Sequence, residues 1–387
     1  MAIHPYNYQD SNVTLEHGKE VSQDEIGFNG VLRVNSKFRK QTQLPEYLPT
    51  WNPNEKYGPL TFFKYEDPAL KADPSFPHLF QSQKHDNLEI KKISPSLGSE
   101  VRGVQLSDLD VDGKNELALF VAERGVVVFR DQDFFTRGAE YVTKYAEQFG
   151  KLHIHPTSGA PEGASELHVV YRRPDGNEVQ NTFKDRTTSV LFHTDISYEL
   201  QPPSYTIFGV VDGPESGGDT LFANSIGAFE RLSPQFQEFL SGLHVIHSSK
   251  EQADHAKSLG GIQRREPVTH IHPLVRVHPV SKRKILYANR GFSRRIVELK
   301  KPESDLLLNF LYNLIESSHD LQIRANWEPG TVTVWDNRSV QHTAIIDWEE
   351  PVTRLAVRLT PQAERPVEDL KYLNDPEYYP SASTLDL

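Results

Sequence analysis

Cysteine is absent from the 387 residues of this chain, and methionine occurs only once. The absence of cysteine excludes disulfides, thiolate metal ligands and cysteine nucleophiles. Any protein-bound metal must therefore be held by histidine and carboxylate side chains.

Long apolar runs and basic runs are also absent. No stretch approaches the roughly 18 apolar residues that a membrane span needs, and the start MAIHPYNYQD lacks the features of a signal peptide. A formal net charge of −11 argues against sequence-independent binding of nucleic acid. With 25% charged and 37% hydrophobic residues, the composition is that of a soluble globular protein. We expect a cytoplasmic protein that binds neither membranes nor nucleic acid and meets any anionic ligand with a local basic site.

The first 84 residues differ from the rest of the chain. They contain the segment LPEYLPTWNPNEKYGPL, which is rich in Pro and Asn and shows no helical or strand periodicity. A disordered tail is one interpretation, but a solvated segment contains few aromatic residues. This one contains Tyr47, Trp51, Tyr57, Phe62 and Phe63. We predict an arm over residues 1–84 that packs on a main domain of residues 85–387.

Short strand-like runs dominate the chain after residue 88, separated by Gly, Pro, Asp and Asn turns. Strands are predicted at LEIKKI, VRGVQL, VVVFRDQ, SVLFHTD, SYTIFGVV, DTLFA, PLVRVHP, KILYA, LQIRANW, TVTVW and TRLAVRLT. Helices are predicted at NELALFVAER, which Gly125 ends, and over residues 136–149, 224–242 and 302–318. This pattern favours a mainly β protein with flanking helices, built as an antiparallel double sheet or barrel.

The motif FHTDISY suggests a metal site. His193 and Asp195 are two residues apart, so on a strand they would project from the same face. One histidine, one carboxylate and a distant second histidine form the facial triad that leaves positions open on Fe(II). The candidate third ligand is His342 in TVTVWDNRSVQHTA.

Two other histidine pairs could in principle hold zinc, and an H-x-D pair also occurs by chance. The pairs are His153 with His155 and His270 with His272. Neither has a carboxylate between its histidines, and a proline follows each pair directly. We interpret His270 and His272 as structural or surface residues.

The strand TRLAVRLT alternates in polarity. Arg354 and Arg358 fall on one face with Ala356, while the leucines and valine fall on the other. If the apolar face packs between sheets, both guanidinium groups point inward and need anionic partners. The alternative is that the arginine face lies in water.

Three segments of the chain resemble the taurine/alkylsulfonate dioxygenase family, in particular its fungal sulfonate dioxygenase branch. The resemblance extends from about residue 88 to residue 366 and is carried by FHTDISYELQPPSYTIFGVVDGPESGGDTLFANSIGAFERLSPQFQEFLSGL, HPLVRVHPVSKRKILYANRGFSRRIV and WEPGTVTVWDNRSVQHTAIID. It implies a double-stranded β-helix, a jelly-roll relative of the cupins. It also implies a dioxygenase that depends on Fe(II) and uses 2-oxoglutarate and O2 as co-substrates.

The resemblance assigns a role to each candidate site residue. His193, Asp195 and His342 match the iron ligands, while Thr220 and Arg354 match the residues that hold the distal carboxylate of 2-oxoglutarate. The sulfonate contacts are matched by Arg358 and His155. Two further candidates for the substrate pocket are Ser189 and Phe292.

Three departures from the family pattern concern the substrate. Ser158 stands where taurine enzymes carry a Tyr, and Ser189 stands where they carry an Asn. The aromatic residue that lines the taurine pocket has no counterpart in HVIHSSKEQADHAK. Phe292 is a candidate apolar wall. The expected substrate is an anionic small molecule, namely an alkylsulfonate that yields sulfite and an aldehyde.

Other functions stay open at this point. The same chemistry on an alkyl sulfate ester or on a non-sulfur substrate is the main alternative, and a binding protein that only keeps the scaffold is a third. The resemblance also implies a homodimer or homotetramer.

Overall fold

The computed structural model describes residues 30–80, 87–174, 178–184, 187–258 and 261–378. Residues 1–29 and 81–84 of the predicted arm therefore lie outside the described residues. The helices of the described part are α1 Ser36–Arg39, α2 Val111–Arg124, α3 Ala139–Ala146, α4 Glu178–Phe183, α5 Ser225–Glu230, α6 Pro234–Ser241, α7 Lys250–Ser258 and α8 Lys301–Ser317. None of the described helices is long and apolar enough to cross a membrane.

The strands of the described part are short and numerous. They are β1 Leu32–Arg33, β2 Thr50–Trp51, β3 Glu89–Lys92, β4 Ser99–Arg102, β5 Val126–Phe129, β6 Lys151–Leu152, β7 His168–Arg172, β8 Tyr205–Asp212, β9 Thr220–Asn224 and β10 His244–Ser248. The later ones are β11 Thr269–Pro273, β12 Val275–Val277, β13 Lys284–Leu286, β14 Ser293–Ile296, β15 Gln322–Ala325, β16 Val332–Asp336, β17 Val340–Ala344, β18 Arg354–Leu359 and β19 Pro361–Gln362. The prediction of a mainly β protein with flanking helices is confirmed.

Two sheets carry the central architecture. The larger has seven strands in the order β3-β4-β5-β16-β8-β18-β7, and the smaller has three in the order β15-β9-β17. The strand pairs are antiparallel, as expected for an antiparallel double sheet, with the exception of β4 and β5, which run parallel. Helix α2 connects these two strands, and parallel neighbours need such a crossover.

The larger sheet is buried on both faces. One face, which includes Val127, Ile207 and Val357, packs into an extensive core with α2 and α3. The opposite face contributes Val128 and Trp335 to a smaller cluster that it shares with Phe222 and Ile323 of the smaller sheet. Alternate residues of each strand therefore point either to the helices or into the space between the two sheets.

The predicted helix over residues 224–242 is in fact two helices. Ser225–Glu230 ends before Pro234, which opens the second helix at its first turn. Proline has no N–H and cannot continue a helix, but it is tolerated at a helix start. Other helix predictions hold with shifted ends: the chain from 302 to 318 is helical over Lys301–Ser317, and residues 136–149 contain Ala139–Ala146.

The predicted strand SVLFHTD is also absent. His193 makes a single antiparallel bridge to His342, and no regular ladder includes residues 189–195. The chain turns just beyond, where Ile196 adopts a positive φ of 41°. The two candidate ligands of this segment are therefore presented by a loop and not by one face of a strand.

The described part of the arm shares the main core. Phe38, Tyr47 and Trp51 are buried within the cluster on the helix side of the larger sheet. Tyr47 also donates a hydrogen bond from its hydroxyl to the main-chain oxygen of Phe135 at 2.8 Å. This segment contributes apolar contacts that the larger sheet would otherwise expose to water.

Candidate active site

Three candidate ligands meet between the two sheets, where His342 of β17 in the smaller sheet faces Asp195, which is bonded to Arg358 of the larger sheet. The Nε2 atoms of His193 and His342 each lie 3.6 Å from Oδ1 of Asp195. All three residues are buried, and one ligand atom from each lies within 4.8 Å of the others. A single ion with bonds of about 2.1 Å can bridge such separations. Within the described residues, no other group of three histidine or acidic side chains meets this criterion.

The chain holds the two histidines by a reciprocal main-chain bridge. The N–H of His193 donates to the carbonyl of His342 at 3.0 Å, and the N–H of His342 donates back at 2.9 Å. Nδ1 of His193 lies 2.9 Å from the carbonyl oxygen of Leu191. A carbonyl can only accept, so this nitrogen carries the hydrogen and Nε2 keeps the lone pair that a metal needs.

Asp195 is fixed from several directions. Asn337 accepts a hydrogen bond from its N–H at 2.9 Å and donates to its carbonyl at 3.1 Å. Thr206 donates to Oδ2 at 3.3 Å, and Arg358 donates to Oδ1 at 2.6 Å. Burial raises the pKa of Asp195, but Arg358 and the two histidines outweigh burial and hold this pKa well below its usual range. The carboxylate is therefore ionised and ready to bind a cation.

Both arginines of β18 face the space between the two sheets, and it is the apolar face of the strand that packs on the helix side. Arg354 and Arg358 are buried, while Leu355, Val357 and Leu359 pack in the opposite core. The two arginines therefore do not lie in water. Arg354 donates to the carbonyl of Gly218 at 3.0 Å. Burial and the neighbouring Arg172 lower the pKa of Arg354 to about 10.

The turn before β9 gives Arg354 its close approach to the chain. Gly217 and Gly218 have φ values of 86° and 69°, a region that favours glycine. A Cβ on Gly218 would lie 3.0 Å from Nε of Arg354. Two residues on, Thr220 opens β9 and is buried. The paired glycines of SGGDT thus bring the candidate 2-oxoglutarate residues to one end of the site.

Strand β7 brings two further residues to the site, and the sequence alone did not indicate either of them. Strand β7 pairs with β18 so that His168 lies opposite Arg358 and Arg172 lies opposite Arg354. His155 stacks on His168 with ring centroids 4.2 Å apart. The alternation of HVVYR would have placed His168 and Arg172 on one face, but only the pairing reveals that this face is the inner one.

Two candidate substrate residues, Phe292 and Ser189, contact protein groups around His193. Phe292 is buried edge-to-face against the ring of His193, at a centroid distance of 6.2 Å. Ser189 accepts a hydrogen bond from the N–H of Ile346 at 3.0 Å and lines a cavity of about 550 Å³. In this structure both support the segment that carries His193, and their contact with a substrate stays a prediction.

The alternative histidine pairs have other partners. His153 lies 3.0 Å from a carboxylate oxygen of Glu199. His270 lies 2.7 Å from the carbonyl of Tyr198, and His272 lies 3.0 Å from the carbonyl of Glu199. These contacts agree with the structural interpretation of His270 and His272.

Comparison with known proteins adds an independent finding. Residues 89–360 match the family model "Taurine catabolism dioxygenase TauD, TfdA family". An "Alpha-ketoglutarate-dependent sulfonate dioxygenase" of Saccharomyces cerevisiae is 62% identical over 365 residues, which are 94% of this chain and 89% of that protein. An "Alkylsulfatase" of Acinetobacter baylyi is 30% identical over 67% of this chain and 81% of its own length. Among solved structures, a "Putative Alpha-ketoglutarate-dependent Taurine Dioxygenase" from Burkholderia xenovorans matches with a TM-score of 0.60 and 28% identity, over 73% of this chain and 94% of its own.

Proposed function

Because the chain belongs to the taurine catabolism dioxygenase TauD, TfdA family and is a 2-oxoglutarate-dependent dioxygenase, we propose that it hydroxylates the carbon next to the sulfonate of an alkylsulfonate. The products are sulfite and an aldehyde, together with succinate and CO2, and the sulfite serves sulfur assimilation. The observation that carries this proposal is the row of buried cations on β18, where Arg354 and Arg358 lie on either side of Ala356 beside the three candidate ligands. One cation is available for each of two anionic molecules.

The donor set fits a mononuclear ferrous site. Two imidazole nitrogens and one carboxylate oxygen on one side of a cavity are typical of non-haem Fe(II) oxygenases. His193, Asp195 and His342 would hold the ion. When bound, Fe(II) with 2-oxoglutarate and O2 supplies the oxidant that replaces a C–H hydrogen of the substrate by hydroxyl.

The protein side chains bind and orient the two organic molecules. Arg354 and Thr220 hold the distal carboxylate of 2-oxoglutarate, since a buried guanidinium binds a carboxylate through two parallel hydrogen bonds. Arg358 and His155 hold the sulfonate. Fixing the anion restricts which C–H bond faces the oxidant, and this restriction lowers the entropic part of the barrier.

The assignment of Arg358 includes a change of partner. In the protein alone, Arg358 donates to the Asp195 oxygen that faces both histidine Nε2 atoms. An ion held by the triad would compete for the same oxygen, and the Nη1 donor of Arg358 would then be available to the substrate anion while Nη2 stays on His168.

Membership of the family also supports proposals for the fold and the assembly. The two facing sheets form a double-stranded β-helix of the jelly-roll type, and residues 1–84 form an arm on the catalytic domain of residues 85–387. A homodimer or homotetramer stays a prediction, which analytical ultracentrifugation would test.

The reaction is tested with purified protein, Fe(II), 2-oxoglutarate and O2 on a panel of alkylsulfonates. We expect sulfite and succinate in equal amounts from at least one of them. Succinate without sulfite across the whole panel would contradict the proposal. Arg358→Ala should lose turnover, while Arg295→Ala, which removes an exposed arginine of β14, should not.

A sulfate ester is the second candidate substrate, because the Acinetobacter relative is named an alkylsulfatase. A sulfate ester offers the same trio of anionic oxygens to Arg358. Hydroxylation of its first carbon would release inorganic sulfate instead of sulfite. The same assay with alkyl sulfates and detection of sulfate therefore separates the two substrates.

A further inference from the structure

Ser158 and His168 form a buried array with the two residues proposed to bind the sulfonate. Oγ of Ser158 lies 2.7 Å from Nδ1 of His155 and 2.9 Å from Nε2 of His168. On its other side, Nδ1 of His168 contacts the guanidinium of Arg358. All four side chains are buried, and Ser158 and His168 have no role in the reaction as proposed above.

The direction of each hydrogen bond in this array follows from its arginine end. A guanidinium can only donate, so Nδ1 of His168 accepts from Arg358. A neutral imidazole carries one hydrogen, and that hydrogen must then be on Nε2, which donates to Ser158. The single hydroxyl hydrogen of Ser158 is left to donate to Nδ1 of His155. His155 therefore carries its own hydrogen on Nε2.

Two observations indicate that both imidazoles of this array are neutral. Burial, together with the charge of Arg358, lowers the pKa of both His155 and His168 well below the usual range. Their rings are also stacked with an interplanar angle of 25°, an arrangement in which two positive charges would repel. The N–H of Thr157 points at Nδ1 of His155 at 3.4 Å, as expected for an accepting nitrogen.

We propose that Ser158 and His168 are positioning residues that fix His155 as a neutral Nε2–H donor toward the substrate anion. This inference rests on the proposed function and describes how its anionic group is recognised. The chain of donors begins at Arg358, whose other nitrogen donates to Asp195. One arginine therefore links the candidate metal ligand to the tautomer of the sulfonate-binding histidine.

The serine also affects specificity. The family resemblance places a tyrosine at this position in taurine enzymes, where a long aromatic side chain fills more space. Ser158 is short, and its hydroxyl is directed to two imidazoles. Recognition of the anion therefore depends on the hydrogen-bonded array of Ser158, His155 and His168. The space that a phenol ring would occupy in taurine enzymes is available here to the substrate or to neighbouring side chains.

The first test compares Ser158→Ala with Ser158→Thr in the enzyme loaded with Fe(II) and 2-oxoglutarate. Loss of the hydroxyl removes about 1–1.5 kcal/mol of net hydrogen bonding, which corresponds to roughly a tenfold rise in KM for the alkylsulfonate. Affinity for 2-oxoglutarate should not change. Ser158→Thr keeps a hydroxyl and should restore a KM near that of the wild type. Equal KM values for all three proteins would overturn the proposal.

The second test reads the tautomer without turnover. Nitrogen-15 NMR of metal-free protein with labelled histidine distinguishes a protonated Nε2 from a protonated Nδ1. We expect His155 in the Nε2–H form in the wild type and in a mixture of forms in Ser158→Ala. An Nδ1–H form in the wild type would overturn the proposal even if the alanine variant failed to fold.

A third variant, His168→Asn, tests whether His168 and Ser158 belong to one hydrogen-bonded array. In the His168→Asn variant, the amide oxygen of the new side chain can accept from Arg358, but the amide nitrogen does not extend far enough to donate to Ser158. The KM of this variant should rise as in Ser158→Ala, and the double variant should be less than about twofold worse than either single variant, since both break the same array. Fully multiplicative effects would count against the array. If wild-type protein oxidised no sulfonate, the proposed function would fail, while the NMR result would still decide the tautomer.

Discussion

Asp195 has more partners than a metal ligand alone requires. Its carboxylate accepts from Arg358 and Thr206, and its main chain is held by Asn337. A buried arginine without a counter-ion is costly, so this carboxylate also stabilises the protein before any metal binds. The metal-binding and structural contributions of the residue can be separated by mutation.

We predict that Asp195→Ala lowers the free energy of unfolding of metal-free protein by about 3–5 kcal/mol, because Arg358 loses its buried partner. His342→Gln removes a candidate ligand but keeps that ion pair, and should cost about 1–2 kcal/mol. Urea denaturation of both variants measures the difference. Equal losses would show that the pair with Arg358 has no structural weight.

Arg354 is predicted to set the affinity for 2-oxoglutarate. A hydrogen-bonded contact to a charged group contributes about 1.5–3 kcal/mol, so Arg354→Ala should raise the Kd for 2-oxoglutarate between roughly 10-fold and 100-fold. Isothermal titration under nitrogen with Fe(II) present gives this constant, with Arg295→Ala as the exposed control. An unchanged Kd for Arg354→Ala would assign the distal carboxylate to another cation.

At the scale of elements, the strand with the two arginines was predictable and its partner was not. The alternation in TRLAVRLT shows that Arg354 and Arg358 share a face. That His168 lies opposite Arg358 depends on pairing with a strand more than 180 residues earlier, which local periodicity does not contain. The loop character of residues 189–195 was missed for a related reason, since an apolar run predicts a strand whether or not a neighbour is available to pair with it.

One prediction concerns the contact between the arm and the rest of the protein. Asp67 accepts from Arg338 at 2.5 Å and from the hydroxyl of Tyr205 at 2.9 Å, and all three are buried. Asp67→Ala should cost about 1–3 kcal/mol of unfolding free energy, because Tyr205 loses its acceptor while Arg338 keeps Asp336 and Glu364 as partners. Glu66→Ala is the neighbouring control, because its pair with Lys71 is exposed and should contribute under about 1 kcal/mol.

Denaturation of these two variants would measure how strongly the arm is joined to the domain. A loss as small as that of Glu66→Ala would mean that the described part of the arm, residues 30–80, can detach without unfolding the sheets. That result would contradict the proposed arrangement of arm and domain.

At the scale of the whole molecule, many histidines are buried, and their titration links stability to pH. Burial lowers the pKa of His247 to about 3 and lowers that of His272 well below the usual range. The unfolded chain takes up protons near pH 6.5, where these folded groups do not. The unfolded state therefore binds more protons, and the folded state loses stability as the pH falls below about 6.5.

We predict that the free energy of unfolding of metal-free protein decreases steadily from pH 7 to pH 5. His247→Gln removes one buried titrating group and should make this dependence shallower. A profile that is flat over this range in the wild type would contradict the predicted linkage.

The sequence was sufficient to predict two things, the overall type of fold and the candidate metal ligands, and it did so for different reasons. Turn residues at short intervals indicated a β-rich protein, and the ordered segments around His193 and His342 indicated the family. The way in which the two histidines meet was not available, because their mutual main-chain bridge joins a loop to a strand far along the chain. Long-range pairing of this kind determines the site more than any local pattern does.

We propose that His193, Asp195 and His342 hold one ferrous ion together with 2-oxoglutarate. The decisive measurement is an anaerobic titration of the protein with Fe(II) in the presence of 2-oxoglutarate. We expect a weak visible charge-transfer band that saturates at one Fe(II) per chain and is lost in His342→Gln. A folded wild-type protein without this band, or a His342→Gln variant that keeps it, would show that these three residues do not form the iron site.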